Sequence, residues 1–139
     1  MAICAALLGQ AGGVLADSDG AGTLASERLN EAVARARRNE FDDAGAVLCA
    51  QDIGQPLEAC DARVARSGAG TAAVRVDFPN GFSRILKFSD GGFVSANATM
   101  SGVGTDIDWQ RDGDRLILRV DDQRYELDGA FVFGPMYDR

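Results

Sequence analysis

Asp106 and Asp108 stand two residues apart in the run DIDWQR, and paired carboxylates are the first place to look for chemistry in this chain. On an extended strand the two side chains would share a face about 7 Å apart, within the range an inverting glycoside hydrolase uses to hold a water between acid and base. That chemistry also needs one carboxyl in apolar surroundings, where it keeps its proton. Any alternating acidic strand supplies the spacing, so a solvated strand face is the plainer expectation. Histidine is absent, which removes the Ser/His/Asp and Cys/His nucleophile systems. A Ser/Lys pair would need a buried lysine, and Lys87 falls on the polar face of its predicted strand. DSDG at 17–20 and DGD at 112–114 lack the loop length and closing glutamate of a calcium hand. The glycines of SGAG and SGVG are not followed by the lysine and helix start of a phosphate loop. The sequence therefore assigns no catalytic residue, no cofactor and no metal ligand. A cell-wall glycoside hydrolase acting through acidic residues stands as the alternative to a non-enzymatic domain.

Charge narrows the partners. The chain of 139 residues has a formal net charge of −7, which disfavours nucleic acid and anionic membrane surfaces and favours a basic partner protein. The hydrophobic fraction, 46%, is enough for one domain with its own core.

Residues 1–16, MAICAALLGQAGGVLA, carry no charge and end in the small-residue pattern Val14-Leu15-Ala16. They read as an export signal cleaved before Asp17, too short for a membrane span, with the true start upstream of Met1 because a basic opening is missing. No membrane insertion is expected once the signal is removed. Residues 17–25 read as a flexible leader and 26–139 as a single domain. Cysteine usage agrees: Cys4 leaves with the signal, and Cys49 and Cys60 remain to form a disulfide in an oxidising compartment, periplasmic or outside the cell.

The elements that must position any site are mostly strands. SERLNEAVARARRN at 26–39 predicts one helix, with Ser26 as N-cap, an apolar stripe of Leu29, Ala32, Val33 and Ala36, and a Glu31–Arg35 pair. That stripe is mostly alanine, so the helix is expected across the edge or end of something larger. A first strand is predicted at 61–67. Thr71 to Phe78 alternates, with Ala72, Val74, Val76 and Phe78 on one face. Pro79-Asn80-Gly81 then predicts a three-residue hairpin that sets Phe78 opposite Phe82, Val74 opposite Leu86 and Ala72 opposite Phe88. That register places Arg84 on the apolar face opposite Val76, where it is expected to snorkel at a margin or pair with a carboxylate. Turns near Asp90-Gly91, Asp112-Gly113 and Asp121-Asp122 separate further strands, and Ala130 to Phe133 reads as a closing strand. The fold class is mainly β: an antiparallel meander of six to eight strands, as a small barrel or a two-layer sheet, preceded by one short helix. A lone tryptophan on an alternating strand is ordinarily core, which turns Ile107 and Trp109 inward and leaves Asp106, Asp108 and Gln110 outside.

Two resemblances add to this. Ser101-Gly102, followed by Trp109, Arg111 and Gly113, resembles the motif of the periplasmic inhibitors of c-type lysozyme, in which a Ser-Gly loop precedes a Trp-x-Lys-Gly segment of a small antiparallel barrel. The likeness implies that Ser101, Gly102, Gly104 and Arg111 bind a partner, a basic envelope or host protein such as lysozyme. Over the longer span from Phe41 to Gly134, the cysteine pair, the FPNG hairpin and the ending DDQRYELDGAFVFG are similar to small exported bacterial domains with no assigned activity.

Overall fold

In the computed structural model, residues 24–68, 70–96 and 106–135 are described. The expected export signal, most of the leader, and Ser101, Gly102 and Gly104 lie outside the described residues. Helix α1 covers residues 24–37. Strands β1 (Asp43–Ala50), β2 (Glu58–Arg66), β3 (Ala72–Asp77), β4 (Ser83–Ser89), β5 (Gly92–Ala96), β6 (Ile107–Asp112), β7 (Arg115–Val120) and β8 (Gln123–Asp128) follow, then a short helix α2 (Gly129–Phe133). All neighbouring strands are antiparallel, in one sheet ordered β5-β4-β3-β2-β1-β8-β7-β6. The sheet curls into a nearly closed barrel rather than two layers.

The FPNG hairpin forms in the expected register. Val74 pairs Leu86, Ala72 pairs Phe88 and Val76 pairs Arg84, while Phe78 N donates to Phe82 O at 2.7 Å. Gly81 sits at φ +93°, the left-handed conformation that this turn demands of its last residue. Ala72, Val74, Val76 and Phe78 are buried in the barrel interior with Val64, Leu86, Phe88, Leu116, Leu118 and Leu127.

Three expectations need correction. The first strand is not 61–67: β1 precedes β2 and joins the two halves of the meander, pairing β2 along its length and β8 at Leu48, Cys49 and Ala50. Its opening residues, Asp43 to Ala46, are exposed, and Ala-Gly-Ala has little strand propensity, so only Val47 and Cys49 carry the inward alternation. Second, the last apolar run is a helical turn instead of a strand. Gly129, Val132 and Phe133 fall on one side of α2 and are buried, and the Phe133 ring meets Phe88 edge-on at 5.7 Å. A run of four apolar residues is too short to show a period, and α2 plugs the barrel end that β8 leaves open. The Arg66 guanidinium donates to the Phe131 and Val132 carbonyls at 2.7 and 3.3 Å, satisfying acceptors that a helix end leaves free.

Third, α1 crosses a face of the sheet and not its edge or end. Its buried Ala32, Val33 and Ala36 pack on Ala65 and Ala73, flanked by Leu29, Phe41 and Ile85. Alanine on both surfaces lets the helix approach closely. Ser26 stands inside the helix, and Arg35 turns from Glu31 to Asp42. Arg35 donates to both Asp42 oxygens at 3.1 and 2.8 Å, and Arg66 N donates to the same carboxylate at 2.7 Å. These bonds hold the Asp42 carboxyl below its ordinary pKa, with the Arg35 hydrogen bond the leading cause.

Cys49 and Cys60 form the expected disulfide, with Cα atoms 6.0 Å apart, and both cysteines face the interior with 0% and 2% exposure. No helix among the described residues is long and apolar enough to cross a membrane. Because the sulfurs are enclosed, a small reductant should leave the native bridge intact, with reduction following unfolding. Cys49→Ala/Cys60→Ala is expected to lower stability by about 3 kcal/mol, read as a fall in urea midpoint. A bridge that reduces as fast in native buffer as in denaturant contradicts its burial.

Candidate functional site

Strand direction sorts the connections onto two ends of the barrel. One end carries the β2–β3 connection, the Asp90-Gly91 and Gly113-Asp114 turns, and the α2 plug. The other gathers residues 51–57 between β1 and β2, the Pro79-Asn80-Gly81 turn, the Asp121-Asp122 turn, and Ala96 and Asp106, which flank residues 97–105. The expected partner-binding segment therefore leaves and re-enters the barrel at the end opposite α2.

The floor of that end is polar. Arg84 is buried at 2% exposure inside the barrel, not snorkelling at a margin. Its Nη1 donates to Gln123 Oε1 at 2.8 Å, the Tyr125 hydroxyl donates to the same oxygen at 2.6 Å, and the Asp121 carboxylate lies 4.0 Å from Nη2. The carboxylate expected for Arg84 is thus present, at the limit of ion-pair distance. Burial raises the Tyr125 phenol well above its ordinary pKa, with the Arg84 charge opposing. Phe78 packs edge-on against the Tyr125 ring at 5.8 Å.

The walls are held by hydrogen bonds. Gln55 Oε1 accepts from the backbone N–H groups of Gln51 and Asp52 at 3.2 and 3.1 Å, and Gln55 N donates to Asp52 O at 3.1 Å. Asn80 Nδ2 donates to Gln51 Oε1 at 2.7 Å, and Arg124 donates to the Gln55 carbonyl, tying this loop to the neighbouring turn and to β8. Opposite, Asp106 and Asp121 exchange bonds: Asp121 N to Asp106 O at 2.8 Å, and Asp106 N to Asp121 Oδ1 at 2.9 Å. Arg119 adds an ion pair to Asp106 at 3.3 Å.

The Asp106 and Asp108 carboxylates are both exposed. Asp106 is bound to Arg119, and Asp108 Oδ1 accepts from the Trp109 N–H at 2.9 Å. Neither is enclosed by apolar surface, the setting that keeps a catalytic acid protonated. Among the described residues no three His, Cys, Asp or Glu side chains stand together as metal ligands.

Trp109 is not core. Its strand partner Leu118 is interior and Ile107 packs against the core, so Trp109 shares the inward face, yet it stays 38% exposed. The reason is that β6 is an edge. The indole reaches across the gap to the other edge, where Cζ2 lies only 2.8 Å from the position a Cβ would take on Gly92. Arg111, an expected partner-binding residue, follows the same route: Nε donates to Gly113 O at 3.1 Å and Nη1 reaches Gly91 O at 3.5 Å. Among the described residues, side chains thus close a seam that no backbone ladder joins. Along β6–β8 a groove of about 350 Å³ is lined by Leu57 and by Asp108, Trp109, Gln110, Ile117, Leu118, Arg119, Arg124, Tyr125 and Glu126.

Sequence reading missed the Gln55-centred loop and the Arg84–Gln123–Tyr125 cluster. The sequence carries a signal for the cluster, since alternation along β8 turns Gln123 and Tyr125 inward once Leu127 is fixed in the core. Comparison with family models, with curated proteins and with solved structures found no match.

Gly92→Val is expected to push the indole off the seam. Trp109 is the chain's single tryptophan, so its emission should move to the red and quench more readily, with a stability loss of about 1–3 kcal/mol; unchanged emission contradicts the contact. Gln123→Leu removes the acceptor shared by Arg84 and Tyr125 and should cost about 2–4 kcal/mol in chemical denaturation. A neutral effect there would mean that the cluster does not hold the barrel end.

Proposed function

We propose that the chain is an exported, non-catalytic binding domain of the bacterial envelope that meets a basic protein partner with the end of the barrel opposite α2. Its specific form is inhibition of a c-type lysozyme. The observation that carries this reading is the difference between the two ends: one is plugged by α2, and the other holds loop 51–57, the Pro79 turn and the Asp121 turn in fixed conformations around the flanks of residues 97–105. Preorganised loops bind without a large ordering cost. The buried disulfide suits an oxidising compartment, and the net charge of −7 suits a cationic enzyme.

The solvated state of Asp106 and Asp108, with Asp106 held by Arg119, favours binding over hydrolysis through that pair. Purified protein at micromolar concentration should slow cell-wall lysis by a c-type lysozyme, and by itself should release no reducing sugar from peptidoglycan. Ser101→Trp should abolish the inhibition if the Ser-Gly segment enters the cleft. Full lysozyme activity at that concentration overturns the specific form, and sugar release by the protein alone overturns the non-catalytic reading.

A further inference from the structure

Loop 51–57 displays an apolar side chain where folding gains nothing from it. Ile53 is 80% exposed, against 53% for Leu24, 43% for Val94 and 38% for Trp109, the other large hydrophobics found exposed. It stands at the corner of the turn Asp52-Ile53-Gly54-Gln55, with Gly54 at φ +81° in the third position and Gln55 N bonded to Asp52 O, the pattern of a type II turn.

Isolated exposed hydrophobics are common on protein surfaces and carry no meaning alone. Ile53 differs in how it is held. The Cys49–Cys60 bridge closes the base of its loop. Gln55 fastens the inside through Gln51 N and Asp52 N, and its Nε2 donates to Glu58 at 3.1 Å. Asn80 and Arg124 fasten the outside. The loop can therefore press an apolar knob into a partner without first losing conformational freedom, which is how a small contact becomes an energetic anchor.

Charge around the knob states the partner's chemistry. Asp52 is exposed on the loop and Glu58 where β2 begins, and Asp106 and Asp122 are exposed at the same end of the barrel. Three arginines stand there as well: Arg119 is paired to Asp106, Arg84 is buried with Asp121 4.0 Å away, and Arg124 keeps its charge, so Asp52, Glu58 and Asp122 leave the end acidic on balance.

We infer that Ile53 is the anchor by which this domain seats itself in an apolar pocket rimmed by basic residues on a partner protein. The inference rests on the binding reading above and adds to it the residue that enters the partner and the character of the pocket that receives it.

The test compares wild type with Ile53→Ser, which removes the apolar group without changing charge and, at an exposed corner, should leave the unfolding midpoint unmoved. Both forms are immobilised and exposed to a c-type lysozyme and then to an envelope extract; captured protein is identified by mass, purified and titrated against each form. The expected result is a captured protein of basic isoelectric point whose affinity is at least about tenfold weaker for I53S and weakens for both forms as salt rises. Equal affinity for the two forms overturns the role of Ile53 and leaves the binding reading standing. A captured protein of acidic isoelectric point overturns the inference through its charge argument. Capture by neither form, lysozyme included, overturns the inference and the reading beneath it together.

Discussion

The indole of Trp109 resting on the bare backbone of Gly92 is the contact on which the closure of this barrel depends. Eight antiparallel strands with ordinary right-handed twist curl far enough to bring β5 and β6 near each other, but among the described residues the ladder stops short of joining them. An unjoined edge exposes peptide groups and invites pairing with other chains. Here side chains span the gap instead, Trp109 lying over Gly92 while Arg111 reaches Gly91 O. A glycine is needed because a Cβ at 92 would lie 2.8 Å from the ring. The exposure of Trp109 follows from this, since a ring that bridges two edges keeps one side in water.

With the seam shut, the interior divides by chemistry. Toward α2 it is apolar, with Phe88, Phe133 and Val132 in contact distance of one cluster. Toward the other end it accepts a guanidinium, a phenol and a carboxamide that satisfy one another through Gln123 Oε1. Buried polar groups are tolerated when their bonds are made, and they fix geometry more strictly than apolar packing does. That places the rigid polar floor beneath the same loops that present Ile53, so the end proposed to meet a partner is braced from below as well as by its own hydrogen bonds.

Much of the fold was legible where local chemistry and global topology agree. The FPNG turn names its own register, and alternation from Thr71 to Phe88 then assigns both faces of β3 and β4. The disulfide followed from counting cysteines. Legibility failed where tertiary context decides. Nothing in Asp43 to Ala46 announces a strand, because those residues are exposed and small and are held by pairing with β2. Ala130 to Phe133 is apolar in either reading, and the packing of Val132 and Phe133 into the core, with Phe133 against Phe88, decides for a helix. Trp109 reads as core from alternation alone, because an edge strand carries no mark in a single sequence. The candidate site was not legible in the same way: the expected segment at 101–104 lies outside the described residues, Arg111 stands at the α2 end against Gly91 and Gly113 rather than with the loops opposite, and Ile53 was missed because its neighbours Asp52 and Gly54 read as an ordinary turn.

Closure through side chains alone can be observed directly by NMR. The Gly92 Hα resonance should be shifted strongly by the indole ring current, with a cross-peak to the Trp109 ring that disappears in Trp109→Leu. No backbone cross-strand ladder should appear between β5 and β6. A Gly92 Hα at its unperturbed position, or a continuous β5–β6 ladder, would contradict such closure.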